Sequence, residues 1–256
     1  MENKELVEKE EIQPNENPQS EASLNSRPIP FWKRVMLLGM GLPGLFLIAF
    51  VAVLIISLFT KNETTIDYLS NILAYVILAG GMVCSLIPHF PECLESFKKW
   101  RPYVFGLVCC ATVMSFDQLY IGLVNLFYPL DTGGNEEGIR GIIAEYPILS
   151  IIVLGILGPT CEELTYRTGL FSIVKKWNRV AAYIITAIVF GLIHFRPTAE
   201  TWLNELLLQP VYMFSGAAFC FVYDRWGFAS SFTAHTANNL YSICAQILLN
   251  IIDKYA

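Results

Sequence analysis

The feature that most constrains this chain is the stretch Gly158-Pro159-Thr160-Cys161-Glu162-Glu163-Leu164-Thr165-Tyr166-Arg167, set inside an apolar run. From Pro147 to Val174, just before the basic pair Lys175-Lys176, the surrounding segment is long enough to cross a bilayer, and its charges fall near the middle. Each charged side chain at the centre of a transmembrane helix costs at least about 2.5–3.5 kcal/mol. Glu162, Glu163 and Arg167 therefore need partners or a use, and they mark a functional site by default.

Composition sets the context for that segment. The 256 residues are 54% hydrophobic and 15% charged, with a mean hydropathy of +0.49, which points to an integral membrane protein. The formal charge of −5 says little about partners, because much of the acid lies near the N-terminus. Basic residues come in twos and threes at the ends of apolar runs, so no nucleic-acid footprint is present. Of the seven cysteines, most lie inside apolar segments and none forms a Cys-x-x-Cys pair. They read as small buried apolar residues rather than a disulfide or zinc framework.

The expected fold is an all-α polytopic membrane protein with about seven transmembrane helices and an active site inside the bundle. Residues 1–30, rich in Glu, Asn, Pro and Ser, read as a disordered acidic tail without a signal-peptide layout. Residues 31–146 form the N-terminal transmembrane helices and residues 147–256 the catalytic transmembrane core. The spans fall at about Val35–Phe59, Tyr68–Pro88, Tyr103–Leu130, Pro147–Val174, Val180–Phe195, Leu203–Val222 and Phe228–Ile252. An eighth helix, re-entrant or lying on the surface, fits within Asp131–Tyr146. One set of flanks carries Arg27, Lys33, Arg34, Lys98, Lys99, Arg101, Lys175, Lys176, Arg179 and Arg225, against Lys61, Arg140, Arg196 and Lys254 on the other. By the positive-inside rule the first set is cytoplasmic, so the N-terminus is inside.

Three histidines occur: His89, His194 and His235. His89 stands at a span end beside prolines and receives no role. His194 ends an apolar run, and His235 lies well inside the last span with Asn239 one turn on, sharing its face. At about 1.5 Å per residue, Glu162 stands roughly 20 Å above Lys175, His194 roughly 21 Å above Val180 and His235 roughly 14 Å above Trp226. With tilt, the three helices bring these groups to one level. A carboxylate, two imidazoles and a carboxamide at one depth supply a base for water, a group to hold it and donors for an oxyanion. Bland readings stand beside this one. Glu163 and Arg167 could neutralise each other along the helix, His194 could be a packing histidine, and His235 with Asn239 could be interhelical glue. Glu162 is harder to dismiss, since the single nearby arginine leaves it without an offset in its own segment.

Glu162-Glu163-x-x-x-Arg167, Phe190-x-x-x-His194 and His235-x-x-x-Asn239 occur in this order on separate expected spans. In this the chain resembles the CAAX-protease and bacteriocin-processing family of intramembrane proteases, related to the type II CAAX prenyl endopeptidases. The resemblance covers about Ile148–Ile252. It implies an endopeptidase in which Glu162, helped by His194, activates the attacking water. His235 and Asn239 would hold that water or stabilise the oxyanion, and Glu163 and Arg167 would orient the acidic pair. It further implies a bacterial plasma-membrane location and a peptide or membrane-anchored protein as substrate. Roles follow in peptide or bacteriocin maturation, self-immunity, or regulation of a membrane sensor kinase.

The preferred mechanism requires no cofactor; zinc stays open, with Glu162, His194 and His235 as its ligands if present. A site-2-type metalloprotease would need His-Glu-x-x-His, which is missing. Asp117 lacks a paired aspartate, and Ser215-Gly216 is better explained by close helix packing than by a serine nucleophile. The rival from another class is a non-proteolytic scaffold or immunity protein that binds a sensor kinase or a peptide. A proton-coupled carrier ranks last, because no paired broken helices appear.

Overall fold

The computed structural model describes residues 29–198 and 200–255, with the side chains of Phe90, Glu92 and Cys93 excepted. The expected disordered tail therefore lies outside the described residues, save Ile29 and Pro30. The described chain is helical, without strands, and forms an all-α polytopic membrane protein. Its long elements are α1 (Phe31–Ile56), α2 (Glu63–Leu86), α3 (Arg101–Asn125), α4 (Gly134–Glu145), α5 (Pro147–Val174), α6 (Arg179–Ile193), α7 (Trp202–Trp226) and α8 (Phe228–Tyr255).

Five of these, α1, α2, α3, α5 and α7, are long and apolar enough to cross a membrane. The other two expected spans are special in different ways. Helix α8 has 28 residues but carries Ser230, Ser231, His235, Asn238 and Asn239 along its length. Helix α6 has 15 residues and so rises only about 22 Å, less than the roughly 30 Å hydrocarbon layer. Its last turn, and His194 just after it, therefore stops short of the far interface. The segment allotted to an eighth helix holds α4, which is short and opens with Glu136 and Glu137 in its first turn.

Helix α5 is the hub. In its most apolar window 56% of the residues are buried, against 11–39% for the other four candidate spans. One side packs on α1 and α2 through Leu37, Leu78, Met82, Cys161 and Leu164. The other meets α6 and α7 through Phe171, Ala182 and Cys220. A further apolar cluster, Cys109, Val113, Phe219, Val222 and Ala234, ties α3, α7 and α8 together. Outward-facing Phe46, Leu47, Phe50 and Leu54 of α1 are exposed, as lipid-facing side chains are.

Two backbone features fix the site's helices against each other. Helices α7 and α8 are joined by Gly227 alone, at φ 82°, a left-handed conformation that glycine adopts without steric cost. Helix α3 lies so close to α8 that a β-carbon on Gly106 would stand 2.7 Å from the Ser230 carbonyl oxygen. Backbone cannot retreat as a flexible side chain can. Gly106→Leu should therefore lower the melting temperature of the helical signal in detergent by an amount corresponding to about 1–3 kcal/mol or more. Gly122→Ala, on the same helix with nothing within 4 Å of the added carbon, should leave it unchanged or slightly higher. Equal melting of both variants would show that the α3–α8 contact is not tight.

Candidate active site

Adjacent residues on a helix point about 100° apart, so Glu162 and Glu163 cannot face the same way. Glu163 turns into the bundle and has no solvent exposure; Glu162 turns to a partly open side and its side chain is 16% exposed. Helix α5 is not a regular α-helix here. It is wound as π-helix over Val153–Leu157 and Glu163–Phe171, on either side of Pro159, which has no N–H to give. Side chains take up carbonyls along this irregular stretch. Asn239 Nδ2 donates to Leu154 O at 3.0 Å, Thr160 to Ile156 O at 2.7 Å and Thr165 to Cys161 O at 2.7 Å. Ser172 donates to Arg167 O at 2.8 Å and Arg34 to Thr168 O at 3.1 Å. This is how a broken helix stays satisfied at membrane depth.

Glu163 Oε1 is the centre of a buried network. It lies 2.8 Å from His235 Nδ1 and 3.1 Å from Arg167 Nη1. Arg167 is wholly buried too; its Nη2 donates to Gly216 O at 3.4 Å. Its guanidinium lies over the rings of Phe190 and Phe219, at 4.7 and 5.2 Å. The sequence pairing of Glu163 with Arg167 thus holds, and His235 joins it. A carboxylate accepting from Nδ1–H sets the tautomer of His235 and leaves Nε2 with its lone pair free. That nitrogen lies 3.8 Å from Glu162 Oε2, an oxygen with no hydrogen-bond partner among the described residues.

His194 caps the end of α6, where its Nδ1–H donates to Phe190 O at 2.7 Å, so its Nε2 also carries the lone pair. Its ring stacks on Tyr212 at 4.6 Å. Phe190 lies between the two histidines, at 4.9 Å from the ring of His194 and 5.9 Å from that of His235, whose other neighbour is Phe219 at 4.9 Å. Glu162, Glu163, Arg167 and His235 are thus brought together, and His194 joins them through Phe190. Asn239 stands one turn along α8, with its amide nitrogen engaged on the α5 backbone. Among the described residues no three His, Cys, Asp or Glu side chains come together to hold a metal ion.

Sequence reasoning passed over the polar clamp beyond His194. Glu205, almost fully buried in the first turn of α7, accepts from Gly134 N at 2.6 Å and Arg196 N at 3.0 Å. Asn204 accepts from Asp131 N and donates to Asp131 O. These two residues secure the loop that enters the short α4 and the one that leaves α6. A carboxylate inside an apolar span was the available signal, since Glu205 stands in the expected Leu203–Val222 span as Glu162 does in its own. The aromatic partners Phe219 and Tyr212 carry no such mark.

Residues 144–241 match the family described as Type II CAAX prenyl endopeptidase Rce1-like. This bears out the resemblance carried by the three motifs, and the likeness at family level is to membrane proteases. Among curated proteins, the chain is 30% identical over 122 residues to the "UPF0177 protein YxdF" of Lactococcus lactis, covering 47% of this chain and 63% of that one. It is 35% identical over 92 residues to the "Putative membrane peptidase YdiL" of Bacillus subtilis, covering 36% and 34%. An "Uncharacterized protein" of Mycoplasma capricolum is 24% identical over 189 residues, covering 65% and 55%. The chain thus spans between a third and just under two thirds of these relatives' lengths. No solved structure matches it.

The buried network can be tested for its weight in the fold. Removing one member of a buried ion pair leaves a charge uncompensated, at a cost of about 3–5 kcal/mol. Arg167→Met should therefore melt well below wild type, and adding Glu163→Gln should recover part of the loss. A double variant no more stable than Arg167→Met would mean that the pair's charges do not matter to each other.

Proposed function

We propose that this chain is an intramembrane endopeptidase of a bacterial plasma membrane, cleaving a peptide or a membrane-anchored protein with Glu162 as the base. The observation that carries the proposal is the division of labour between two adjacent carboxylates. One is buried and neutralised by Arg167 while it aims His235; the other is part exposed, faces His235 Nε2 at 3.8 Å, and has an oxygen unspent. A separation beyond direct hydrogen-bond length is one at which a shared water belongs.

In this reading a water between Glu162 and His235 loses a proton to Glu162 as its oxygen attacks the scissile carbonyl carbon. The proton then passes to the departing nitrogen as the C–N bond breaks, which returns Glu162 to its starting state. His194, with an acceptor Nε2 in its neutral tautomer, assists in drawing the proton, and becomes a donor when it carries one. Glu163 and Arg167 act as positioning residues for His235 rather than on the substrate. Asn239 supports the site through its hold on Leu154 O; its carbonyl oxygen is left to orient the water. No cofactor is needed for these steps, and residues 147–256 form the unit that carries them. The excess of lysine and arginine at the Lys175 end of the bundle supports a cytoplasmic N-terminus.

The test is cleavage of a membrane-peptide library by the purified full chain in detergent, with and without a chelator. Glu162→Gln should lower turnover by about 10²–10⁴-fold, the range for loss of a general base, while leaving the melting temperature near wild type. Wild-type turnover should survive the chelator. Undiminished cleavage by Glu162→Gln would refute the assignment of the base, and loss on chelation would replace this mechanism with a metal-dependent one.

A further inference from the structure

At the Lys175 end of α5, a cleft of about 470 Å³ opens between the start of α1, the α5–α6 turn and the α7–α8 turn. Its lining includes Ser172, Lys175, Lys176, Tyr223 and Asp224. Asp224 is buried at the end of α7 and is shared by two cations. Lys175 pairs with it, and Arg179 approaches it at 2.7 Å, while the Tyr183 hydroxyl donates to it at 3.0 Å. One carboxylate against two cations leaves a surplus positive charge. Lys176 adds another: among the described residues it meets no carboxylate, only the face of Phe31 at 4.9 Å. A hydroxyl is at hand as well: Tyr223 stands 3.2 Å from Ser172, whose own hydrogen goes to Arg167 O.

The depth of this cleft is marked by its rim. Phe31 and Trp177 meet edge to face at 6.3 Å, and both are exposed, as is Trp32. Exposed tryptophans at the ends of membrane helices sit at headgroup level. A net-positive, hydroxyl-lined cleft at that level faces phosphate groups, and basic pockets between helix ends take anionic lipid heads. We propose that the cleft binds the phosphodiester head of an anionic phospholipid, with Lys176 as its principal cation and the acyl chains lying along the exposed apolar flank of α1. The site lies away from Glu162 and its occupancy is independent of whether the chain cleaves peptides.

Binding can be read by native mass spectrometry of the full chain in micelles holding equal amounts of phosphatidylcholine and phosphatidylglycerol. The wild type should retain phosphatidylglycerol in preference. Lys176→Glu should reduce that preference by at least about fivefold, the factor that one lysine near an anionic surface contributes. Lys176→Arg should keep it, and so should Lys61→Glu, a charge reversal at the other end of the bundle. Soluble glycerol phosphate should not displace the lipid. If Lys61→Glu lowers the preference as much as Lys176→Glu, only overall charge is at work and the site is refuted. Displacement by glycerol phosphate would make it a soluble-anion site instead. Retention that appears only when Glu5, Glu8, Glu10 and Glu11 are changed to Gln would assign the cleft to the chain's own acidic N-terminus, and would equally overturn the lipid proposal.

Discussion

The contact on which the rest of the site depends is between a carboxylate with no solvent exposure and a nearly buried imidazole, Glu163 Oε1 and His235 Nδ1 at 2.8 Å. A lone buried carboxylate would be neutralised or expelled; Arg167 on the same helix keeps it charged and in place. Arg167 is in turn held by aromatic faces and a backbone carbonyl rather than by water. Three helices, α5, α7 and α8, are thereby committed to one arrangement. The result is a histidine whose Nε2 has a fixed direction. That is the same logic by which a buried carboxylate orients histidine in hydrolases of unrelated fold.

The architecture around this contact is irregular where a purely structural bundle would be regular. Helix α5 departs from α geometry twice within one span, and α6, at 15 residues, is too short to cross the hydrocarbon layer. Both irregularities are supported rather than tolerated. Hydroxyls of Thr160, Thr165 and Ser172 and the amide of Asn239 meet the α5 carbonyls, while Asn204 and Glu205 take the amides of Asp131 and Gly134, where α4 begins, and of Arg196 after α6. Without the second set, backbone donors near His194 would lie at depth with nothing to bond.

Much of this was legible in the chain, and for a physical reason. In an apolar segment every charge is conspicuous, so Glu162, Glu163, Arg167 and the two histidines announced themselves, and a count of residues put them at one level. Five of the seven expected spans were legible because length and hydropathy suffice for them; α6 is too short and α8 too polar to meet the same mark. What the sequence could not tell was which of two neighbouring carboxylates turns inward, since that depends on the helix's rotation against α7 and α8. The π-helical winding was equally hidden: Pro159 signals a disturbance but not its size. Phe219 and Tyr212 escaped notice because an aromatic residue in a membrane helix looks the same whether it faces lipid or a histidine. Asn239 was read correctly as a neighbour of His235, but its amide nitrogen serves the backbone of α5.

A last consequence concerns the barrier the protein sits in. Any hydrolase within a bilayer admits water part of the way across, and water that continues carries protons down the potential. Below Glu162 on α5, toward Lys175, stand Arg167, between the rings of Phe190 and Phe219, and then Phe171, both fully buried. The guanidinium that balances Glu163 thus also stands, wholly buried, between Glu162 and the Lys175 end of the helix. A fixed positive charge packed between rings is what water-conducting pores use to turn back cations and protons. In the proposed reading, the residue that steadies the site would be the same one that turns protons back from it.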